Sequence, residues 1–301
     1  MINLFCLKWC LTIFLTLFLL VLSITHSSSK IVFDDALQVL EKDNQDFIHG
    51  RIIGGHEALR NAYPFMARVR TLWRNSGKRG LCGGTLIHKH YVLTAAHCVW
   101  NQQGNDIYDT VTVFLGDHNR VQLEPTEIEV TIDKVYIHGD YKDRQNDLAL
   151  LKFSATVNLS SAIQPSCLTA ENKEYIGINA TALGWGLTEF DGFEASLVLK
   201  ATPIPIVKDY RCNMIPLFNS KSMICAGFVQ RVGDDTVYKG DSGGPLFIEN
   251  NGKPTIVGVA SYVKMDALKG KVTGSVFTKL SAFDAWIKKH VDSLDGLCFN
   301  P

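Results

Sequence analysis

A glycine-rich loop late in the chain surrounds one serine hydroxyl. The loop runs from Lys239 to Pro245 with the sequence KGDSGGP. A serine hydroxyl becomes a good nucleophile only when a base takes its proton, and the oxyanion it generates needs hydrogen-bond donors already directed at it. The backbone N–H groups of Gly240 and Ser242 can supply those donors, and glycine lets the main chain approach a substrate closely. The loop predicts acyl transfer with Ser242 as nucleophile, although alone it is equally compatible with an ordinary turn.

Two further stretches supply a base and an acid. His97 lies in the sequence TAAHC, and Asp147 lies in NDLALL. A histidine can take the serine proton and return it to the leaving amine, while an aspartate holds the required tautomer and stabilises the imidazolium. In the order His97, Asp147, Ser242, these motifs resemble the chymotrypsin/trypsin-like serine proteases. The resemblance covers about residues 52–291, and it implies that Ser261 hydrogen-bonds the aspartate.

Composition and strand pattern bear on the fold class. The 301 residues include 30 Lys+Arg, 30 Asp+Glu and 46% hydrophobic residues, which suits a globular protein with a large core. Because the numbers of acidic and basic residues are equal, the net charge gives no electrostatic argument for binding nucleic acid or an anionic membrane. Short strands separated by turns indicate an all-β fold. The resemblance implies two six-stranded antiparallel β-barrels, about 52–165 and 166–280, with the active site in the cleft between them.

The C-terminal end of this region carries a helical pattern. Apolar residues recur at helical spacing from Phe283 to Leu294, after Ser281 and Asp284 in capping-box positions. This pattern predicts a helix that packs against the rest of the domain, and it predicts a structural role for His290. The protease domain is expected to cover 52–292, followed by a C-terminal tail at 293–301.

The first 26 residues predict a secretory signal peptide. Lys8 precedes an apolar run from Leu11 to Leu22, and small and polar residues follow. The alternative is a membrane anchor, because apolar residues flank Lys8 on both sides. Six cysteines remain outside this segment, and an even set in an exported chain predicts disulfides without fixing their pairing. The resemblance implies the pairs Cys82–Cys98, Cys212–Cys225 and Cys167–Cys298.

Residues 27–51 predict an activation propeptide. The segment ends in Gly50-Arg51-Ile52-Ile53-Gly54-Gly55, which is similar to the activation site of the family. The resemblance implies that cleavage after Arg51 frees the Ile52 ammonium to pair with Asp241. A basic surface loop is the alternative interpretation of Arg51.

The specificity pocket departs from the family pattern. The usual cysteine two residues before the loop glycine is Tyr238 here, and no partner cysteine lies between Val263 and Ser275. The resemblance places Thr236 at the pocket floor and Val263 and Ser275 on its walls. A β-branched side chain in place of glycine excludes long side chains, so we expect elastase-like cleavage after small or medium apolar residues such as Ala or Val. A one-residue slip that brings Asp235 into the pocket is the alternative, and it predicts cleavage after Arg or Lys.

The segment from Asp117 to Glu127 resembles the calcium loop of trypsin-like proteases, whose oxygen ligands suit a hard cation. Asp117 stands where glutamate is usual, one methylene shorter, so a solvated acidic loop is the alternative. The implied ligands are Asp117, Asn119, Gln122, Glu124 and Glu127. We expect catalysis to require no cofactor, and a calcium ion in this loop would have a structural role. Asn158 and Asn179 begin glycosylation sequons, and Asn158 is the better candidate because Asn179 leads into an apolar segment.

The sequence therefore predicts a secreted, monomeric serine endopeptidase, made as a zymogen, acting on proteins or peptides and not on nucleic acid. An elastase-like pocket cannot readily cut at Arg51, so a separate trypsin-like activating protease follows, and protein inhibitors are expected partners. The alternative from another functional class is a catalytically inactive, protease-like binding or regulatory protein.

Overall fold

The structure is a computed structural model that describes residues 55–73, 77–101, 106–170, 173–188, 194–227, 236–266 and 271–300. The predicted signal peptide, the propeptide, the cleavage residues Arg51 and Ile52, and Asp235 lie outside these ranges. In the part of the chain that is described, no helix is long and apolar enough to span a membrane.

The N-terminal half forms a closed barrel. Its elements are β1 (His56–Glu57), β2 (Met66–Trp73), β3 (Lys78–His88), β4 (Tyr91–Thr94), α1 (Ala96–Val99), β5 (Trp100–Asn101), β6 (Asp106–Ile107), β7 (Thr110–Leu115), β8 (Ile128–Ile137) and β9 (Ala149–Phe153). Six of these strands close antiparallel in the order β2-β3-β4-β9-β8-β7. Inward side chains such as Ala67 and Val69 are fully buried, whereas Arg70 on the opposite face of β2 is exposed. Burial of apolar surface inside the barrel stabilises it.

The C-terminal half forms a second sheet. Its elements are β10 (Cys167–Thr169), β11 (Asn179–Gly184), β12 (Lys200–Pro205), β13 (Met223–Ala226), β14 (Pro245–Asn250), β15 (Lys253–Asp266), β16 (Lys271–Lys279), α2 (Asp284–His290) and β17 (Phe299–Asn300). Six strands pair antiparallel in the order β12-β11-β14-β15-β16-β13. An isolated bridge between Ile206 and Ala226 joins the two ends of this series. The all-β fold is confirmed, with the second set of six strands closed by one bridge instead of a full ladder.

The expected C-terminal tail is part of the second sheet. β17 pairs with β10 in parallel, and β10 also pairs in parallel with β15, so this sheet is not wholly antiparallel. The Asn300 side-chain amide donates to Thr255 Oγ1 at 2.8 Å. The Cys167–Cys298 disulfide fixes the chain immediately before β17. The covalent link one residue before the strand, together with packing of Phe299 against the core, explains why two residues are held as an edge strand.

The C-terminal helix is shorter than the apolar pattern predicts. α2 begins at Asp284 and ends at His290, so Leu294 lies beyond it and is 54% exposed. The predicted capping box is wrong, because Ser281 lies in a 3-10 turn and no side chain caps the helix. Asp284 instead accepts a hydrogen bond from Lys288 Nζ at 2.7 Å. His290 Nδ1 lies 2.8 Å from the Trp286 carbonyl oxygen, as suits a structural histidine.

Removing the Cys167–Cys298 disulfide should detach the terminal strand. We expect the Cys167→Ala/Cys298→Ala double variant to lose about 2–4 kcal/mol of unfolding free energy, because the bridge closes a long loop in the unfolded chain. The amides of Leu168 and Ala170 donate to Cys298 and Asn300 at 2.8 and 3.1 Å, so both should lose protection from hydrogen exchange. An Asn300→Ala variant, with the disulfide intact, is the control. Unchanged protection at both amides in the double variant would contradict this role.

Candidate active site

The three predicted catalytic residues come from three different connections. His97 lies in α1, the single turn that follows β4. Asp147 precedes β9 in the first barrel, and Ser242 precedes β14 in the second sheet. The two halves are joined here by backbone contact, since the Gly83 N–H in β3 donates to the Ser242 carbonyl oxygen at 2.8 Å. The fold therefore brings residues separated by 145 positions of sequence to one boundary between its halves.

His97 is held by Asp147 through two contacts. The backbone N–H of His97 donates to Asp147 Oδ1 at 2.9 Å, and His97 Nδ1 lies 2.8 Å from Asp147 Oδ2. The Ser261 hydroxyl also donates to Asp147 Oδ2. Burial acts to raise the pKa of Asp147, but the charge and hydrogen bonds of His97 and Ser261 outweigh it and hold the pKa below its ordinary value. An ionised aspartate at this place fixes the proton on Nδ1 and leaves Nε2 free to act as a base.

A disulfide supports the histidine turn. Cys82 in β3 and Cys98 in α1 are bonded, with their Cα atoms 6.1 Å apart, and Cys98 Sγ lies 3.9 Å from His97 Nε2. These two cysteines and His97 also form a group with metal-ligand spacing. Because the two sulfur atoms are bonded to each other, they offer no thiolate to a metal. The predicted pairs Cys167–Cys298 and Cys212–Cys225 are likewise present.

The nucleophile loop presents backbone donors. Gly240 has a φ of 101°, a conformation that favours glycine, and a Cβ there would lie 2.8 Å from the Gly186 Cα atom. The Gly243 N–H donates to the Ala260 carbonyl oxygen at 2.7 Å, which fixes the loop against β15. Among the described residues, no hydrogen-bond acceptor uses the N–H of Gly240 or of Ser242. Both donors are therefore available for a developing oxyanion.

Comparison with known proteins agrees with this geometry. The family model described as Trypsin matches residues 52–287. Serine protease SSP1 from Scolopendra subspinipes is 45% identical over 250 residues, which cover 82% of this chain and 86% of that protein. The chain belongs to the trypsin family. It is therefore a serine endopeptidase.

Two further relatives support the assignment. Chymotrypsin-like elastase family member 1 from Canis lupus familiaris is 34% identical over 256 residues, covering 81% of this chain and 94% of that protein. The solved structure of GrC superposes with a TM-score of 0.68 at 30% identity, covering 78% of this chain and 97% of that one.

Asp241 is a second buried carboxylate in this trypsin-family protease. It accepts the N–H groups of Gly186 and Tyr238, each at 2.8 Å. Gly184 and Gly186 both lie so close that a Cβ on either would overlap the carboxyl group. Burial raises the pKa of Asp241 to about 7 against the lowering effect of these two donors. In the described ranges no cation pairs with it, so its charge is disfavoured until one arrives.

The predicted pocket residues are placed in two groups. Thr236 and Ser275 are fully buried, and their hydroxyl oxygens lie 2.9 Å apart. They are not among the residues that line the cavity of about 170 Å³ beside Ser242, whereas Val263 is. Val263 pairs with Ser275 across β15 and β16. Thr236 and Ser275 therefore bond to each other outside the lining of this cavity, and Val263 adds an apolar β-branched side chain to that lining.

Tyr238 occupies the position of the missing disulfide. Its ring is buried against Val272 of β16, with Val263 and Leu187 packed beside it. Its hydroxyl donates to Met265 Sδ in β15 at 3.2 Å. Apolar packing thus joins the nucleophile loop to both strands of the pocket.

An arginine that the sequence did not single out holds the predicted calcium loop. Arg68 Nε donates to Asp117, and Arg68 Nη2 lies 3.5 Å from Glu127 Oε1. Burial raises the pKa of Asp117 and of Glu127, and Arg68 acts in the opposite direction on both. Glu124 accepts hydrogen bonds from Arg60 and from the Asn119 N–H.

These contacts do not fit calcium at the ends of the loop, because a guanidinium already joins the two terminal carboxylates. The Asn119 side-chain oxygen accepts the N–H groups of Val121 and Gln122, each at 3.2 Å. Asp117, Asn119, Glu124 and Glu127 each have one carboxylate or amide oxygen in contact with Arg60, Arg68 or a loop N–H, whereas Asp117 Oδ1 has no hydrogen-bond partner among the described residues. Calcium binding stays a prediction from the sequence.

The two glycosylation sequons both begin at exposed residues. Asn158 lies between β9 and β10, and Asn179 begins β11. Ala180, the next residue, is buried, whereas the Asn179 side chain is on the surface. Burial therefore does not separate the two sites, and modification at either stays a prediction.

Arg68 should be required for stability. Arg68→Met leaves the buried Asp117 and the half-buried Glu127 without their cation, so we expect a loss of about 3–5 kcal/mol of unfolding free energy. Arg70→Met, on the exposed face of the same strand, is the matched control and should cost less than about 1 kcal/mol. Millimolar calcium should not change the melting temperature of the wild type. A rise of several degrees that is reversed by a chelator would show that calcium displaces Arg68.

The uncleaved chain should lose stability as pH rises. Asp241 binds its proton more tightly in the folded state than in the unfolded state. Its contribution to the free energy of unfolding is therefore fully present below about pH 4 and is lost as pH approaches about 7. Asp241→Asn removes this titration. We expect the unfolding free energy of Asp241→Asn, relative to the wild type, to increase between pH 4 and 7 in urea titrations. A difference that does not change with pH would show that Asp241 already has a charged partner.

Proposed function

We propose that this chain is a secreted serine endopeptidase that is made as a zymogen and cleaves peptide bonds through an acyl-enzyme on Ser242. The observation that carries the proposal is the hydrogen-bonded series Ser261, Asp147 and His97 at the boundary that also holds the Ser242 loop. Such a series has a chemical use only where a proton must be moved at the histidine.

In the proposed reaction, His97 Nε2 takes the Ser242 proton as Oγ attacks the scissile carbonyl carbon. The free N–H groups of Gly240 and Ser242 stabilise the oxyanion, which is the charge that develops in the transition state. Asp147 stabilises the imidazolium, and His97 then gives its proton to the leaving amine. Water repeats the sequence on the acyl-enzyme and restores the serine hydroxyl.

Activation is proposed to follow cleavage after Arg51. The new Ile52 ammonium is the cation that a buried, unpaired Asp241 lacks, and pairing would lower the pKa of Asp241. One partner alone would be an uncompensated buried charge, so loop order depends on both. Because the pocket is narrow, a separate trypsin-like protease is the proposed activator, and protein inhibitors are further expected partners of a monomeric enzyme.

The pocket supports cleavage after small or medium apolar residues. The predicted floor residues Thr236 and Ser275 carry neutral hydroxyl groups that bond to each other, and Val263 lines the cavity with an apolar β-branched side chain. Neither group neutralises a Lys or Arg side chain. A long side chain therefore has neither space nor a counter-charge among the described pocket residues.

A peptide-library profile tests the proposal. Protein cleaved after Arg51 should cut after Ala or Val, and the uncut protein should not. Ser242→Ala should lower turnover by about 10⁶-fold in the cleaved enzyme. Cleavage after Arg or Lys would instead show that Asp235 enters the pocket. No cleavage by correctly folded and processed protein would favour a binding or regulatory protein.

A further inference from the structure

The cavity beside Ser242 is lined by two cationic side chains and by no acidic one among the described residues. Arg144 and Lys239 are the cations, and Ser242, Tyr262 and Val263 lie with them. The whole chain has equal numbers of acidic and basic residues, so this is a local excess of positive charge at the reaction site. A concave surface with one sign of charge attracts ligands of the opposite sign.

Arg144 is held in place by an unusual backbone. Asp143 and Arg144 have φ values of 47° and 68°, a region that non-glycine residues seldom adopt. Lys142 and Gln145 fix this turn by exchanging backbone hydrogen bonds of 3.2 and 2.8 Å. Such conformations persist where the surrounding structure imposes them, and they concentrate at functional sites. The turn delivers a long cationic side chain three residues before Asp147.

The charge of Arg144 is only partly neutralised within the protein. Arg144 Nη1 lies 3.4 Å from the Ser261 carbonyl oxygen and 3.8 Å from Asp147 Oδ2. Asp147 already accepts hydrogen bonds from His97 and Ser261, and the Arg144 side chain remains 38% exposed. A guanidinium has five N–H donors in a planar fork that matches a carboxylate. Most of these donors are therefore available to a ligand in the cavity.

Lys239 supplies the second charge. It immediately precedes Gly240 and is exposed, and no carboxylate in the described ranges pairs with it. Its ammonium group lies 5.7 Å from the centre of the Tyr238 ring. The two cations therefore come from the loop of the catalytic acid and from the loop of the nucleophile.

We propose that the enzyme selects substrates with an Asp or Glu side chain close to the cleaved bond, because Arg144 and Lys239 line the same cavity as Ser242. Arg144 binds this carboxylate and Lys239 attracts it as a second cation. This assignment rests on the proposed endopeptidase function and adds the class of substrate, an acidic peptide. Val263 and the hydroxyl pair select the small residue at the cleaved bond itself.

Paired peptides that differ only as Asp against Asn, or Glu against Gln, separate charge from shape. Binding is measured by fluorescence anisotropy on full-length Ser242→Ala protein, before and after cleavage at Arg51, and turnover is measured on the wild type. We expect the acidic peptide to be favoured by about tenfold, as for a charged pair at a partly buried site. High salt should reduce this ratio, because exposed charges are screened.

Three substitutions locate the effect. Arg144→Met should reduce the acidic preference from about tenfold to about twofold, and Lys239→Met should reduce it by less, from about tenfold to about fivefold, as for an exposed pair. The acidic and amide peptides are compared within each variant, so a change that Arg144→Met causes at Asp147 affects both peptides of a pair and does not alter their ratio. Lys264→Met is the matched control, because this lysine lies beside Val263 on β15 but donates to the Met214 carbonyl oxygen at 3.0 Å. It should leave the ratio unchanged.

Equal binding of the acidic and amide peptides to Ser242→Ala protein would overturn the assignment. A preference for the acidic peptide that is unchanged in both the Arg144→Met variant and the Lys239→Met variant would also overturn the assignment. Labelling of Ser242 in the wild type by a fluorophosphonate tests the endopeptidase function independently. If labelling fails while the acidic peptide is still preferred in binding, the mechanism is wrong and the acidic ligand class stands. If Arg144→Met does not fold, Lys239→Met and the salt dependence still decide the outcome.

Discussion

The structure depends on one buried negative charge. Asp147 is fully buried, and its carboxylate is compensated only because donors from both halves of the fold converge on it. His97 comes from the first barrel, whereas Ser261 comes from β15 of the second sheet. The hydroxyl of Thr278 in β16 also donates to the Asp147 backbone carbonyl at 2.9 Å. A buried carboxylate without such donors is very costly, so the two halves must meet at this residue.

The second buried carboxylate, Asp241, has an environment that shifts its pKa in the opposite direction. Asp241 accepts only backbone N–H groups, and burial dominates its pKa, whereas Asp147 has the imidazole beside it. The glycines at 184 and 186 leave just enough room for the Asp241 carboxyl group. The two carboxylates are buried at one boundary. Hydrogen bonds and the imidazole stabilise the charge of Asp147, whereas Asp241 is favoured as the neutral acid. Only the second can respond to the arrival of a new cation.

The sequence predicted the residues whose types the chemistry restricts. The triad is one such group, since only a few side chains can act as nucleophile, base or orienting acid. The strand pairing was predicted less well, because antiparallel barrels were expected and β10 pairs in parallel with β15 and β17. Contacts between distant residues carried no local signal. Arg68 and Asp117 are 49 positions apart, and the alternation of β2 suggests only that Arg68 lies outside the barrel. Arg144 was missed because left-handed backbone at a charged residue follows from the surrounding turn, not from its own sequence.

Tyr238 links the two regions in which this chain departs from its family pattern. Its backbone N–H holds Asp241, and its side chain packs against the strands that form the pocket. A disulfide would fix the pocket whatever the state of the loop, whereas packing and hydrogen bonds depend on the position of Tyr238 itself. In the proposed activation, charging of Asp241 strengthens its bond to the Tyr238 N–H, because hydrogen bonds to charged acceptors are stronger than those to neutral ones. The same residue that carries this change also supports Val263 at the entrance. In this proposal, activation and specificity are coupled through one residue, Tyr238, whose position no disulfide fixes independently of the loop.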